Sequence, residues 1–408
     1  MNENLKKNAV WNLIGTTINA FASLIFMIIV TRVNGISDAG IFTFGFSVAT
    51  MFNIIGVYAG RIYQVTEKNK ISNKDFLYNR IISCIFMIII SFAFVFINGY
   101  NFVKALIIIL LCLLKMFEAF SDVIYGFLQK KLNLYKVGIS LTLKNTIGLL
   151  VFTLFDLITK DIIISIISFI LIYILFLLFY DLRQCNLKKV IKEKLNLANV
   201  KEIFYRGFPT FFTAFLTIYI INSSKYVIDK FSSNSDQAIF GIIIMPATIM
   251  ILIAQFVIHP FLTMMDENIK KKDYNSLIKI ITKLSIFVFL VGIIGVIGCH
   301  FIGINILELF YGVKLSKYRL CLDIILFGSI FYALTSIINT VLIAMRHTVI
   351  QMIIYIITSI FAFISSYFLV KSNGIYGASL NYFIVMLINY LVFLLSFFII
   401  YKKERRSK

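Results

Sequence analysis

Along the chain, long runs of Ile, Leu, Phe and Val are separated by short polar breaks, and twelve apolar segments can be marked off. They run approximately over 9 to 31, 39 to 61, 80 to 98, 103 to 127, 138 to 156, 161 to 180, 207 to 229, 238 to 262, 281 to 303, 321 to 344, 348 to 370 and 376 to 401. A helix crossing the hydrocarbon of a bilayer needs about 20 apolar residues, and most of these segments are that long. The pattern therefore predicts an all-α integral membrane protein with about 12 transmembrane helices. The first segment follows Lys6 and Lys7 as a signal peptide's apolar stretch would. It nevertheless runs from Ala9 to Thr31 without a small-x-small cleavage site, so it is read as the first span.

The longest polar connection, Asp181 to Arg206, divides the spans six and six. This predicts an N-lobe over 1–206 and a C-lobe over 207–408, each of six helices. Equivalent helices of the two halves carry similarly spaced polar residues, as a parallel six-helix repeat predicts. The first helices carry Asn12, Thr16, Asn19 and Ser23 in one half and Thr210, Thr213, Thr217 and Ser224 in the other. The fourth helices carry Lys115, Glu118, Asp122 and Tyr125 against Ser329, Tyr332, Ser336 and Asn339, each at i, i+3, i+7 and i+10. Helical periodicity puts each set on one face.

Composition agrees with the pattern and adds an orientation. Of 408 residues, 60% are hydrophobic and 14% charged, so twelve spans leave no room for a large catalytic domain outside the membrane. The net charge of +20 would point to nucleic acid in a soluble protein, but here the cations sit in short loops. With the N-terminus inside, 28 of the 39 Lys and Arg fall in cytoplasmic segments and their flanking helix ends, and eight fall outside. Positive residues stay cytoplasmic, so both termini are expected there, and no nucleic-acid partner is expected. The remaining three cations, Lys115, Lys144 and Lys225, lie within spans.

Lys115 is about 12 residues from either end of its span, roughly 18 Å, too deep to snorkel fully to an interface. A charge at that depth costs at least about 2.5–3.5 kcal/mol unless it faces a partner or water. Glu118 and Asp122 share its face, and the triple leaves one formal negative charge. That surplus carboxylate points to an ion-coupling or substrate-cavity role for Glu118 and Asp122. Lys144 is only about six residues inside the fifth span, where snorkelling and an anion site explain it equally. Lys225 and Asp229, at i and i+4, suit a local ion pair. For the uncharged stripes, helix packing through hydroxyl and amide hydrogen bonds and cavity lining both remain open. Pro246 falls inside the eighth span and is expected to bend it, and Pro260 ends it behind His259. Arg61, closing the second span, is what positive-inside bias predicts.

The chemistry of most enzymes has no foothold. Cys84, Cys112, Cys185, Cys299 and Cys321 have no C-x-x-C spacing and read as apolar filler. His259, His300 and His347 stand far apart, with no metal-ligand spacing. No P-loop, G-x-S-x-G or D-x-D occurs, so neither a cofactor, a metal nor an enzymatic activity is expected.

Several blocks carry a resemblance to a known family: Ala9 to Asn12 with Gly15; Arg32 to Gly35 and Ala39 to Phe44; Gly60-Arg61-Ile62-Tyr63-Gln64-Val65-Thr66-Glu67; Glu118 to Gln129; Asn222 to Asp229; and Leu309 to Gly312. In this order they resemble the oligosaccharide repeat-unit (polysaccharide, Wzx-like) flippases of the multidrug, oligosaccharidyl-lipid and polysaccharide exporter superfamily. Thr66 and Glu67 depart conservatively from a Ser-Asp pair in the family's Gly-x-Arg-x-Tyr-Gln-Val-Ser-Asp pattern. The resemblance covers nearly the whole chain. It implies a two-lobed, V-shaped bundle whose cavity opens alternately to either side and carries a polyprenyl-pyrophosphate-linked oligosaccharide across the bilayer. It also implies cationic cavity residues that hold the pyrophosphate and inward movement of H+ or Na+ that can drive the cycle. Arg61, Lys115 and Lys144 are then the candidate phosphate ligands, with Asn12, Thr16, Asn19, Thr213 and Thr217 as sugar partners. A bacterial plasma (inner) membrane location, and other polysaccharide-assembly proteins as partners, are the corresponding expectations. The alternatives are a drug or metabolite/cation antiporter of the same superfamily and a membrane enzyme of polysaccharide assembly. The latter is disfavoured by a longest outer loop of only about Gly303 to Leu320 and by the lack of a mid-span His.

Overall fold

The computed structural model describes residues 3–58, 60–67 and 71–406, but not the side chains of residues 3–5, Ile62, His259 and Arg406. Lys68, Lys70 and Lys408, counted above among the cytoplasmic cations, lie outside the described residues, as do the side chains of His259 and Arg406. Among the described residues, every regular element is helical. Ten helices among the described residues are long and apolar enough to cross a membrane. Phe102–Lys130, with 29 residues, is long enough to cross as well, but its apolar run is interrupted by Lys115, Glu118 and Asp122. Thr348–Arg406 is long enough for two crossings and bends at Gly374, whose φ of 54° only glycine adopts cheaply. The protein is thus a multi-pass membrane protein.

The chain forms two compact units, Met1–Phe215 and Leu216–Lys408, so the division falls inside a helix rather than in the preceding connection. The first unit contains α1 (Glu3–Val33), α2 (Ile36–Val57), α3 (Gly60–Thr66), α4 (Asn73–Asn98), α5 (Phe102–Lys130), α6 (Leu134–Thr159) and α7 (Ile162–Phe176). A π-helical turn, Leu177–Asp181, extends α7, and two short helices, α8 (Leu182–Cys185) and α9 (Leu187–Lys192), lead to α10 (Leu197–Phe231), which runs on into the second unit. There follow α11 (Asn234–Ile243), α12 (Met245–Ile258), α13 (Leu262–Lys270), α14 (Tyr274–Gly298) with a π-helical turn at Cys299–Gly303, α15 (Ile304–Tyr311), α16 (Arg319–Ala344) and α17 (Thr348–Arg406).

Lipid tails are as apolar as leucine, so contacts between these helices rest on close packing and polar pairing rather than on removal of apolar surface from water. In the first unit, α1 lies along α6 with backbones nearly touching: a Cβ at Gly138 would meet the Trp11 carbonyl oxygen at 2.1 Å. Farther along α1, Phe26 meets Phe152 of α6 and Phe169 of α7 edge-on, with ring centroids 4.8 and 4.6 Å apart. In the second unit α16 is the buried centre, packed by α12, α14 and α17.

Two span boundaries depart from the apolar pattern. The second span is broken: α2 stops at Val57, Tyr58 takes a left-handed φ of 51°, and Arg61 begins again on the short α3. The third helix starts at Asn73, well before the apolar run at 80, because Ser72 and Asp75 form a reciprocal capping box there. Arg80 is therefore two turns inside α4 rather than at its start. The expected bend at Pro246 is an interruption: α11 ends at Ile243 and α12 restarts with Pro246 in its first turn, where a missing N–H costs nothing.

Candidate functional site

The charged face of α5 meets the broken second span. Lys115, Glu118 and Asp122 project from one side of α5. Lys115 Nζ donates to Glu118 Oε2 at 2.7 Å and lies 4.8 Å from the centre of the Phe46 ring. Asn53 of α2 donates to the Lys115 carbonyl at 3.0 Å, tying the two helices at that level. Asp122 sits between two guanidinium groups. Arg80 Nη2 approaches Asp122 Oδ2 at 3.2 Å, and Arg61 Nε lies 3.8 Å from Asp122 Oδ1. Arg80 is buried, and its Nη1 donates at 3.1 Å to the Gly56 carbonyl, one of those that the break in the second span leaves without a helical partner.

Arg80 changes the charge balance expected above. The cluster holds three cations, Arg61, Arg80 and Lys115, against two carboxylates, Glu118 and Asp122, so its surplus is one positive charge instead of one negative. Arg61 makes no hydrogen bond to any described residue; its long contact to Asp122 is an electrostatic one, leaving the planar fork of N–H donors unused. The side chains of Arg61, Glu118 and Asp122 are 24–29% exposed. Charges at this depth cannot face acyl chains without a cost of several kcal/mol, so the exposed edge of the cluster must face water or a polar ligand.

Lys144 lies elsewhere and is of another kind. It is fully buried, neither snorkelling nor placed to meet a substrate, and each of its three donors has a partner: Ser121 Oγ at 2.9 Å, Tyr125 OH at 3.1 Å and Asp181 Oδ2 at 2.8 Å. Ser140 Oγ completes the arrangement at 2.6 Å from Asp181 Oδ1 and 3.0 Å from the Tyr125 hydroxyl. The π-helical turn at the end of α7 carries Asp181, which the apolar pattern assigns to the following connection. The Lys144 expectation is thus corrected to a sealed ion pair linking α5, α6 and the end of α7.

The uncharged stripes divide as well. On α1, Thr16 Oγ1 donates to the carbonyl of Asn12 at 2.7 Å. Asn19 Oδ1 accepts from Asn145 at 3.1 Å, and Asn145 in turn accepts from Tyr173 at 2.9 Å. Asn19 therefore joins α1, α6 and α7. Thr213 is half-buried on α10 within the first unit. Thr217, in the second unit, hydrogen-bonds Tyr355. The expected ion pair between Lys225 and Asp229 is not found among the described residues, and Asp229 has an interaction of its own. On α16, Ser329 and Ser336 bond back to carbonyls of their own helix, and Asn339 accepts from Gln351 at 2.7 Å.

Comparison with known proteins bears on the fold. No family model matches the chain. A capsular polysaccharide biosynthesis protein, CapF, of Staphylococcus aureus is 23% identical over 402 residues, covering 97% of this chain and 99% of the relative. Among solved structures, the lipid II flippase MurJ in an inward closed conformation superimposes with a TM-score of 0.71 at 16% identity, covering 95% of this chain and 87% of that one. An inward-facing multidrug resistance MATE family transporter of the MOP superfamily gives 0.66 at 12% identity, over 97% and 99%. The chain shares the fold of these MurJ and MATE structures. The order of sequence blocks that resembles the polysaccharide flippases agrees with the CapF similarity along nearly the whole chain.

Proposed function

We propose that this protein is a lipid-linked oligosaccharide flippase, moving a polyprenyl-pyrophosphate-linked repeat unit from the cytoplasmic to the outer leaflet by alternating access, for assembly of a cell-surface polysaccharide. The observation that carries the reading is the surplus positive charge on the wet face of α5, with the Arg61 fork unbonded beside it. A pyrophosphate is a bidentate acceptor that this fork matches, and Asp122 occupies the neighbouring position as an internal anion that the phosphate displaces. Lys115, held by Glu118 alone, supplies two further donors. The lipid tail stays in the bilayer while the half-buried polar groups of α1 and α10, Asn12, Thr16 and Thr213, meet the sugars. Export of an anion from a negative interior gains about 2.3 kcal/mol per charge at 100 mV, and entry of H+ or Na+ adds to it. Residues 1–206 and 207–408 act as the two lobes, with both termini on the cytoplasmic side of a bacterial plasma membrane, as the loop charges favour.

The MATE structures that share the fold favour a second reading, a drug or metabolite/cation antiporter. An antiporter for organic cations gains nothing from a net positive face, which is why the flippase is preferred. Deleting the gene and following polyprenyl-linked intermediates by mass spectrometry separates the two. Flipping predicts a full-length repeat unit accumulating on its carrier at the cytoplasmic face; a mutant with no such build-up and with new sensitivity to amphiphilic cations contradicts it.

A further inference from the structure

The polar connection that follows α7 is docked on the first unit along most of its length. Val190 of α9 is buried in an apolar cluster with Phe76 of α4, Phe127 of α5 and Leu177 in the π-helical turn after α7, and the partly buried Leu187 packs against the same cluster. Beyond α9, Glu193 Oε2 accepts from the backbone nitrogens of Asn73 and Lys74 at 2.8 and 3.3 Å, and Oε1 accepts from the Asn73 side chain at 3.0 Å. Glu193 thus serves the open N–H groups in the first turn of α4. Asp75 accepts from the Asn196 nitrogen and the Asn199 side chain, both at 2.8 Å, and Lys74 Nζ donates to the Ile191 carbonyl at 2.8 Å.

What this docking leaves outward is cationic. From Leu187 to Lys201 the chain carries Lys188, Lys189, Lys192, Lys194 and Lys201 and a single acid, Glu193. All five lysines are exposed. None is joined to a carboxylate among the described residues, since Glu193 is turned to α4 and the nearby Glu202 holds Arg206 at 2.8 Å. The connection between α13 and α14, expected on the same side of the membrane, is built differently: Lys270 and Lys271 pair with Asp266 and Glu267. Positive-inside bias depends on how many cations a connection holds, so both connections satisfy it. It does not require that one of them keep its lysines unpaired. Among those lysines Ile191 and Leu197 are 53% and 64% exposed. Aliphatic side chains interleaved with lysines beside the end of a span fit the boundary where acyl chains meet headgroups, with the ammonium groups reaching out to phosphates.

We propose that the docked segment 187–201 is a binding surface for the headgroups of anionic phospholipids, with Lys188, Lys189, Lys192 and Lys194 as phosphate ligands and Ile191 as an apolar anchor beside them. The fixed backbone holds the lysines in place before a lipid arrives, so binding costs less order than it would on a free linker. This surface uses none of the residues of the α5 face, and it stands whether or not the protein is a flippase.

The test titrates phosphatidylglycerol or phosphatidylcholine onto the full chain in a nonionic detergent and counts bound lipids by native mass spectrometry. A lysine near an anionic surface is worth about fivefold in affinity, so the combined variant K188Q, K189Q, K192Q, K194Q should bind phosphatidylglycerol about tenfold or more weakly than the wild type. Its binding of zwitterionic phosphatidylcholine should stay within about twofold. Arginine at the same four positions (K188R, K189R, K192R, K194R) should restore phosphatidylglycerol binding, which separates loss of charge from loss of fold. The control K270Q, K271Q, K272Q removes three cations from the other connection and should weaken phosphatidylglycerol by less than about twofold, because exposed paired charges contribute little. Unchanged phosphatidylglycerol binding in the first variant, or an equal loss in the control, overturns the proposal. At matched ionic strength, inorganic pyrophosphate should displace no more phosphatidylglycerol than sodium chloride does; preferential displacement assigns the lysines to a free phosphate instead. Polyglutamate that binds the wild type more tightly than phosphatidylglycerol at equal charge, and loses that binding in the first variant, assigns the surface to an acidic protein and likewise overturns the proposal.

Discussion

Lys115 and Lys144, two lysines of the first unit that lie well inside the apolar segments, are placed in opposite ways. Lys144 is enclosed, and all three of its donors are used, within a network whose carboxylate also accepts from Ser140. Lys115 uses one donor, to Glu118, keeps a partly exposed side chain, and stands on the face where Arg61 and Asp122 are also partly exposed. A charge that is fully satisfied has no reason to bind a ligand and serves to fix helices; a charge that is half satisfied and wet can exchange its partner for a substrate's. The type of residue and its depth do not separate these two roles, but the count of unused donors does.

The largest expected effect tests the enclosed member. Lys144→Met leaves Asp181 buried without a counter-charge and should destabilise the protein by about 3–5 kcal/mol in unfolding measurements in detergent. Lys144→Met combined with Asp181→Leu should recover most of that loss. If Lys144→Met unfolds no more easily than Lys115→Met, the distinction between the two lysines is lost. Next, Arg61→Gln should lower transport of lipid-linked oligosaccharide by about tenfold or more, since a charged hydrogen bond is worth about 1.5–3 kcal/mol, while the unfolding midpoint stays near that of the wild type. Smaller is the effect of Glu118→Gln, which raises the surplus charge of the face. It should tighten binding of a polyprenyl pyrophosphate severalfold and slow its release, with the gain reduced at high salt because the face is wet. Smallest is Asn19→Ala, which removes one interhelical hydrogen bond of about 0.6 kcal/mol and should leave transport intact, measured as a small shift in thermal unfolding.

The helical membrane fold was legible in the apolar pattern because a bilayer leaves the chain few options: runs of about 20 apolar residues must be helices. The face formed by Lys115, Glu118 and Asp122 was legible for a related reason, that charges at bilayer depth with helical spacing must share a side. Their partners were not. Arg80 was counted with the cytoplasmic cations because the apolar run starts at it, although Ser72 and Asp75 spell a capping box that starts the helix two turns earlier. Hydropathy measures where a helix enters lipid, and the capping box measures where the backbone begins to coil. Asp181 escaped for the mirror reason, being carried by a π-helical turn beyond the apolar run. The break at Tyr58 has no proline to announce it. It holds through Arg80 and the Gly56 carbonyl, a contact between residues 24 positions apart that no local pattern records.

The central claim is that the partly exposed face of α5 with Arg61 binds the phosphate groups of the substrate, and that the Lys144 network does not. Affinity for a polyprenyl pyrophosphate, measured on the full chain in nanodiscs at low salt, tests it most directly. The expected result is a loss of about tenfold or more in Arg61→Gln, with binding by the paired variant Lys144→Met, Asp181→Leu unchanged. Unaltered affinity in Arg61→Gln, together with a loss in the folded paired variant, would contradict the account.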